Sequence, residues 1–368
     1  MLMTYSILTT PRLRRVLGLL LGLAMLVAIP AAAKTKIAFV GLKHSHCWRQ
    51  LENVQTIKAV ELVGVAEPEA ELIEYAKTIN PTAHYETDYK KMIEANKPDI
   101  IWAFVENNRH LEILEFAAPK GIHLIFEKPL ASNHAEAIRM KELAAKYDIK
   151  VMTNYQMAWW PTNQEIKRQA DAAAIGDVWR LHGIVGHGGP GSQGPRSKYF
   201  FEWLTDPVKN GAGALVDFGC YNALWSLWFR GRPETVYAQV NYLQRERFPK
   251  VEDNSVMVLT YPDGVSILEG SWDLPHSFQD LEVFGREGSL YMNRNKVEIR
   301  KGRRGEPMPV KTTPMSEERL DPIKYMVDRV KSGKAVDNIM ALDINVSVVE
   351  ILDAAKESIK PGKAISLN

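Results

Sequence analysis

Three residues of this chain have the types and spacing for proton and hydride chemistry on an alcohol. Lys128 stands in FEKPLA (126–131), directly after an apolar run, and Asp217 and Tyr221 close GAGALVDFGCY (211–221). Oxidising a secondary alcohol takes a base for the hydroxyl proton as hydride leaves, and reduction uses the same group as an acid. A free tyrosine, with a pKa of about 10, is a poor base at neutral pH, but a neighbouring ammonium favours its phenolate. Lys128 is therefore expected beside Tyr221. Four residues apart on a helix, Asp217 and Tyr221 share a face, so the aspartate can hold a substrate hydroxyl while the tyrosine exchanges the proton. The plainer alternative has Asp217 capping a helix that starts near Gly219, with Tyr221 in the core. Cys220 lies in the same segment, but no base for a thiol nucleophile is evident.

A second candidate lies near the start. KIAFVGLKHSHC (36–47) begins like the phosphate-gripping turn of a dinucleotide fold, where three glycines make the bend, admit the pyrophosphate and pack helix on strand. Those places hold Gly41, Lys43 and His46, so only the first glycine is kept. A helix N-terminus still offers N–H groups and a positive dipole end to an anion. Lys43 adds an ammonium there or is simply a solvated loop lysine. Glu67, 26 residues beyond Gly41, stands where an acidic side chain accepts from the adenosine ribose diol and repels a 2′-phosphate, which favours NAD over NADP. Its alternative is a strand-end glutamate facing water. His44 and His46 have metal-like spacing, but a ligand set needs a third partner and nothing nearby nominates one, so no metal is expected.

These residues need elements to position them. KIAFVG (36–41), VELVGVAE (60–67), DIIWAFV (99–105) and IHLIFEKP (122–129) are apolar strand-like runs. Helical patterns at 46–57, 70–79 and 110–121 separate them. That alternation implies a doubly wound, Rossmann-like parallel sheet covered on both faces. Beyond a helix around 163–175 the rhythm changes to runs at 177–187, 234–244, 254–261, 265–272, 279–285 and 288–292, with turn signals YPDG and GREG between neighbours. This predicts an α+β domain with a mostly antiparallel sheet. GHGGPGSQGP (186–195) reads as a loop. Trp159, Trp160, Trp203, Trp225 and Trp228 fall in or near cleft-facing segments; most are expected in the core and one or two at the site.

Length and charge narrow the class. A chain of 368 residues suggests two domains, and a formal net charge of +2 argues against a nucleic-acid binder. The N-terminus has the parts of an export signal: RLRR (12–15), the apolar run 16–30, and AAA (31–33) before Lys34. Cleavage after Ala33 is expected, with an uncleaved membrane anchor as the alternative. Arg14 and Arg15 also permit twin-arginine export. The expected organisation is a signal over 1–33, a cofactor domain over 34–155 and a substrate domain over 156–368. Cys47 and Cys220 fall in different domains, so two free thiols are expected.

FEKPLA, the preceding VENNRH (105–110) and GAGALVDFGCY together resemble the signature regions of the Gfo/Idh/MocA oxidoreductases. The resemblance covers essentially the whole chain after residue 33. It implies that Lys128 touches both nicotinamide and substrate hydroxyl, with Glu127 and Pro129 shaping the turn. It implies further that Asn107 and His110 lie near the nicotinamide, although Val105 and Glu106 replace the family's usual Thr-Pro. Asp217 and Tyr221 match its aspartate and acid/base positions. The expected function is an exported enzyme that moves hydride between a tightly bound NAD, or less readily NADP, and a sugar or polyol. Outside the cytoplasm a second substrate must recycle that cofactor, and the protein must fold around it before export. A homo-oligomer is compatible with this reading. An NAD-dependent glycosidase of the same family and a non-catalytic sugar- or partner-binding module with a degenerate loop are the rivals.

Overall fold

A computed structural model describes residues 33–367. The export-signal expectations at 1–32 lie outside the described residues. From Thr35 onward the chain is one compact unit.

Six strands, β1 (Thr35–Val40), β2 (Val60–Ala66), β3 (Tyr85–Glu86), β4 (Ile100–Ala103), β5 (His123–Glu127) and β6 (Val151–Asn154), form a parallel sheet in the order β3-β2-β1-β4-β5-β6. Helices between the strands bury both faces, which is why every residue of β4 and β6 is buried. The order reverses between β1 and β4, so the loops leaving these two strands diverge and open a crevice at their C-terminal ends. Gly41, His44, Lys128 and Asn107 all sit on loops at that edge.

Nine further strands follow: β7 (Val178–Gly186), β8 (Thr235–Asn241), β9 (Asn254–Tyr261), β10 (Gly264–Ser271), β11 (Phe278–Gly285), β12 (Gly288–Met292), β13 (Val297–Lys301), β14 (Met308–Val310) and β15 (Ile365–Ser366). Their order is β14-β13-β12-β11-β7-β10-β9-β8-β15. Burial alternates along β9 and β11, the mark of a sheet with one face on a core. Helices Pro161–Asp171, Gly219–Arg230 and Leu342–Ile359 pack on it. All neighbours are antiparallel except β7 and β10, which pair in parallel. That exception arises because the chain makes a long crossover from β7 through helices before it returns.

The sequence reading matches helix Ala70–Ile79 in full. It places neither Pro195–Leu204 nor Leu342–Ile359. The second of these runs back to the parallel sheet, where Val346 and Val349 join the core of Ala137 and Met140, and Asp353 accepts from the His134 amide at 2.7 Å.

At the end of β1 the backbone turns at Gly41, whose φ is +86°. A Cβ there would lie 2.6 Å from Val105 Cγ1 and 2.9 Å from the Phe104 carbonyl oxygen. Left-handed backbone and overpacking act together, so Gly41→Ala is expected to lose about 2–4 kcal/mol in urea unfolding. A loss below about 0.5 kcal/mol would contradict this account of the turn.

Candidate active site

Lys128 follows β5 directly and is 5% exposed. Its ammonium is ion-paired with the Asp217 carboxylate and donates to the Asp217 carbonyl oxygen at 3.0 Å. Asp217 Oδ2 accepts from Trp272 Nε1 at 2.8 Å. This carbonyl has no helical amide partner because helix Ala214–Asp217 stops there: Phe218 takes a turn, the Tyr221 amide donates to Phe218 O at 3.1 Å instead of to Asp217, and Cys220 Sγ adds a second side-chain donor at 3.2 Å. Glu252 fixes the start of that short helix by accepting from the Gly213 and Leu215 amides at 2.7 and 3.0 Å. Burial works against both members of the ion pair, but each charge more than offsets it for the other. Lys128 is shifted up and Asp217 down, so both stay ionised.

Two expectations are corrected here. Asp217 and Tyr221 do not share one face of a continuous helix, because the turn at Phe218 separates them. Nor does Lys128 produce a phenolate. Its Nζ is 5.1 Å from the Tyr221 ring centroid and committed to Asp217, and burial drives the phenol's pKa upward against the lysine's pull. Tyr221 is held as the neutral acid, packed edge-on to Tyr155 at 5.2 Å. Of the plainer alternative, the capping role fails because Asp217 caps no helix, while the helix start at Gly219 and the burial of Tyr221 in the core both hold.

The glycine-poor loop is tied down from within. Glu67 turns inward, and its carboxylate accepts from the Leu42 amide at 2.6 Å and from the Glu69 amide at 3.0 Å; burial raises its pKa. The His44 amide donates to Phe104 O, the His46 amide to His44 Nδ1, and the Cys47 amide to His44 O. The amides of Lys43 and Ser45 carry no hydrogen bond within the described residues. Lys43 is no simple solvated lysine, since it pairs with Glu106 at 3.3 Å and Glu69 at 3.7 Å. Helix Pro195–Leu204 lies against this loop: Trp203 Nε1 donates to Lys43 O at 3.3 Å, and the Phe200 ring packs on His44 at 5.0 Å.

Asn107 and His110 brace the loops that flank Lys128. The Asn107 amide donates to Asn210 Oδ1 at 2.8 Å, tying its loop to the second half of the chain. His110 Nδ1 donates to Leu130 O at 3.0 Å and so holds the turn after Lys128. His46, in contrast, meets Glu127: Nδ1 lies 2.8 Å from Glu127 Oε2, while Asn154 holds Oε1 at 2.9 Å. Glu127 is the third partner for His44 and His46 that the local sequence lacked. It comes from β5, 81 positions after His46.

Two cavities adjoin across the Lys43–His44 peptide. One, of about 350 Å³, lies at the ends of β1 and β2 and is lined by Gly41, Lys43, Glu67, Asp88, Glu106 and Arg109 among others. The other, of about 280 Å³, is lined by His44, His46, Lys128, Asp217 and Tyr221. Side by side at the sheet's reversal point, they suit the adenosine and nicotinamide halves of a dinucleotide. Lys43 and the two unengaged amides lie where the diphosphate must pass. The residues therefore fit the cofactor, with fewer loop amides than a three-glycine turn provides.

The second cavity also contains Gln156, His187 and Arg294. His187 and Arg294 were not singled out from sequence; a histidine closing a strand just before a glycine-rich loop is the one available signal for the first of them. Burial lowers the His187 pKa, so its imidazole is neutral. No tryptophan lines this cavity; Phe200, Phe218 and Phe278 do. Both cysteines are free and buried.

A parallel sheet with a nucleotide-sized crevice, joined to a second sheet through a buried lysine at the crevice floor, defines a dinucleotide-linked oxidoreductase. Two family descriptions match the chain: "Oxidoreductase family, NAD-binding Rossmann fold" over residues 35–155 and "GFO/IDH/MocA C-terminal domain" over 163–291. The chain belongs to the Gfo/Idh/MocA family, whose members act on CH–OH groups with NAD(P). Myo-inositol 2-dehydrogenase of Thermotoga maritima is 22% identical over 333 residues, covering 86% of this chain and 94% of that one. The NADP(+)-dependent scyllo-inositol 2-dehydrogenase of Bacillus subtilis is 25% identical over 257 residues, 68% of this chain and 75% of its own. Among solved structures, aldose-aldose oxidoreductase from Caulobacter crescentus, complexed with glycerol, superimposes with a TM-score of 0.77 at 20% identity, covering 91% of this chain and 100% of that one.

His110 gives the site a pH signature. Burial pushes its pKa down to about 4, below the ordinary value of about 6.5. The stability this neutral ring contributes is fully present above about pH 6.5 and is lost as pH falls from there toward 4, about 3 kcal/mol in all. Urea unfolding of His110→Asn is expected to depend less steeply on pH over that range by roughly this amount. Parallel pH curves for the two proteins would refute it.

Proposed function

We propose that this protein is an exported oxidoreductase that exchanges hydride between NAD and a sugar or polyol, with Lys128 and Tyr221 handling the oxygen and its proton. The observation that carries this reading is the buried Lys128–Asp217 pair at the floor of a cavity that also exposes Tyr221 and His187. Bound nicotinamide supplies the hydride acceptor or donor. Asp217 keeps Lys128 charged, so its ammonium can draw electron density from a substrate oxygen and stabilise negative charge developing there. Tyr221, held protonated, delivers a proton to that oxygen in the reducing direction. In the oxidising direction the same path runs backward: the neutral His187, in the same cavity, takes the Tyr221 proton, and the phenolate so formed receives the proton of the substrate hydroxyl. Glu67 and Asp88 line the larger cavity with no ion-pair partner among the described residues, which disfavours a 2′-phosphate and supports NAD over NADP. Inositol and aldose chemistry among the relatives supports a polyhydroxylated substrate. Residues 1–33 support export, and a non-cytoplasmic enzyme must keep its NAD and regenerate it with a second substrate.

Denaturing the purified protein and analysing the supernatant by mass spectrometry should release NAD. Tyr221→Phe should keep that nucleotide and lose about 10²- to 10⁴-fold in kcat on the reducing half-reaction. Nucleotide-free protein that also fails to bind NAD on titration would overturn the reading. Glycoside hydrolysis without net NADH would replace it with the glycosidase.

A further inference from the structure

We propose that His44, His46 and Glu127 form a site for one divalent transition-metal cation, zinc being the type, open to the cavity that holds Lys128 and Tyr221. One ligand atom from each residue lies within 4.8 Å of the others. Tetrahedral ligands about 2.1 Å from a zinc stand about 3.4 Å apart, so the set lies within about 1.5 Å of ligating separations. Two imidazoles and one carboxylate are the donor set of open zinc sites, in which the fourth position takes water or substrate.

Charge supports the same conclusion. Glu127 is 0% exposed, yet among the described residues its only ion-pair partner is His46. Lys128, the next residue, commits its charge to Asp217. A buried carboxylate left with a histidine and an asparagine amide calls for a cation. His46 Nδ1 and Glu127 Oε2 already face each other at 2.8 Å, with a single proton between them. A metal ion takes the place of that proton. The supporting contacts are present as well: Asn154 fixes Glu127 Oε1 at 2.9 Å, and Gln156 lies 2.9 Å from His46 Nε2, where its amide, once turned, accepts that nitrogen's proton.

His44, His46, Lys128 and Tyr221 line one cavity, so the open position faces the place of the substrate. A cation there binds a second oxygen of a vicinal diol or hydroxyketone and polarises it beside the lysine. The site deepens the sugar or polyol reading, but its existence is measured without turnover.

The test uses the mature protein purified without a polyhistidine tag, stripped with chelator and titrated with Zn²⁺ or Co²⁺. About one equivalent per chain by elemental mass spectrometry, with visible Co²⁺ absorption typical of nitrogen and oxygen ligands, is expected. Asn154→Ala should weaken binding about 10- to 100-fold, and Glu127→Gln should abolish it. Failure of the unmutated protein to retain zinc after dialysis against micromolar zinc overturns the proposal, as does full retention in the double variant His44→Ala/His46→Asn. Nucleotide content assayed on the same samples separates failure of the metal site from failure of the hydride-transfer reading.

Discussion

The Lys128–Asp217 ion pair is the constraint around which the rest is arranged. Removing two charges from water costs several kcal/mol each, and only close geometry with further hydrogen bonds recovers it. The chain meets that demand from four directions: β5 delivers the lysine, the turn at Phe218 frees a carbonyl for it, Trp272 reaches over from the second sheet, and Glu252 anchors the short helix carrying the aspartate. The contact also joins the parallel sheet to the mixed one. Substrate chemistry and the seam between the two halves thus share a single electrostatic feature.

Around it, almost every charge at the crevice is balanced locally. Lys43 answers Glu106 and Glu69, Arg109 answers Glu106 and Glu112, and Glu67 is met by two backbone amides. Such a wall presents little net field to a dinucleotide diphosphate. Affinity must then come from shape and from the few unengaged amides rather than from a cluster of free cations. The covering helix Pro195–Leu204 is consistent with that, since enclosure substitutes for charge.

Much of this was legible in the sequence, and the failures share a cause. Uninterrupted apolar runs announced β1, β2, β4 and β5, and the Glu-Lys-Pro segment located the lysine. The partners were hidden because they come from afar: Glu127 meets His46 across 81 positions, and Glu106 meets Lys43 across 63. The turn at Phe218 was legible only as the alternative in which a helix starts near Gly219. The periodicity of ALVDFGCYNALW is that of an unbroken helix, and the two donors that take up the Asp217 carbonyl at the break are Lys128 Nζ and Cys220 Sγ. The tyrosine's state was misjudged because spacing conveys proximity to a cation but not the desolvation that opposes it.

Helix Leu342–Ile359 carries a consequence for the order of events during synthesis. Its Val346 and Val349 complete the apolar packing beside helix His134–Lys146, Asp353 caps that helix, and Lys356 donates to Ser132 O at 3.1 Å just past the catalytic turn. The cofactor half, though made first, stays uncovered on this side until residues 342–359 have been made. Capture of a nucleotide in the finished crevice therefore waits for this helix, and deleting residues 342–359 strikes the first-made half as hard as the second.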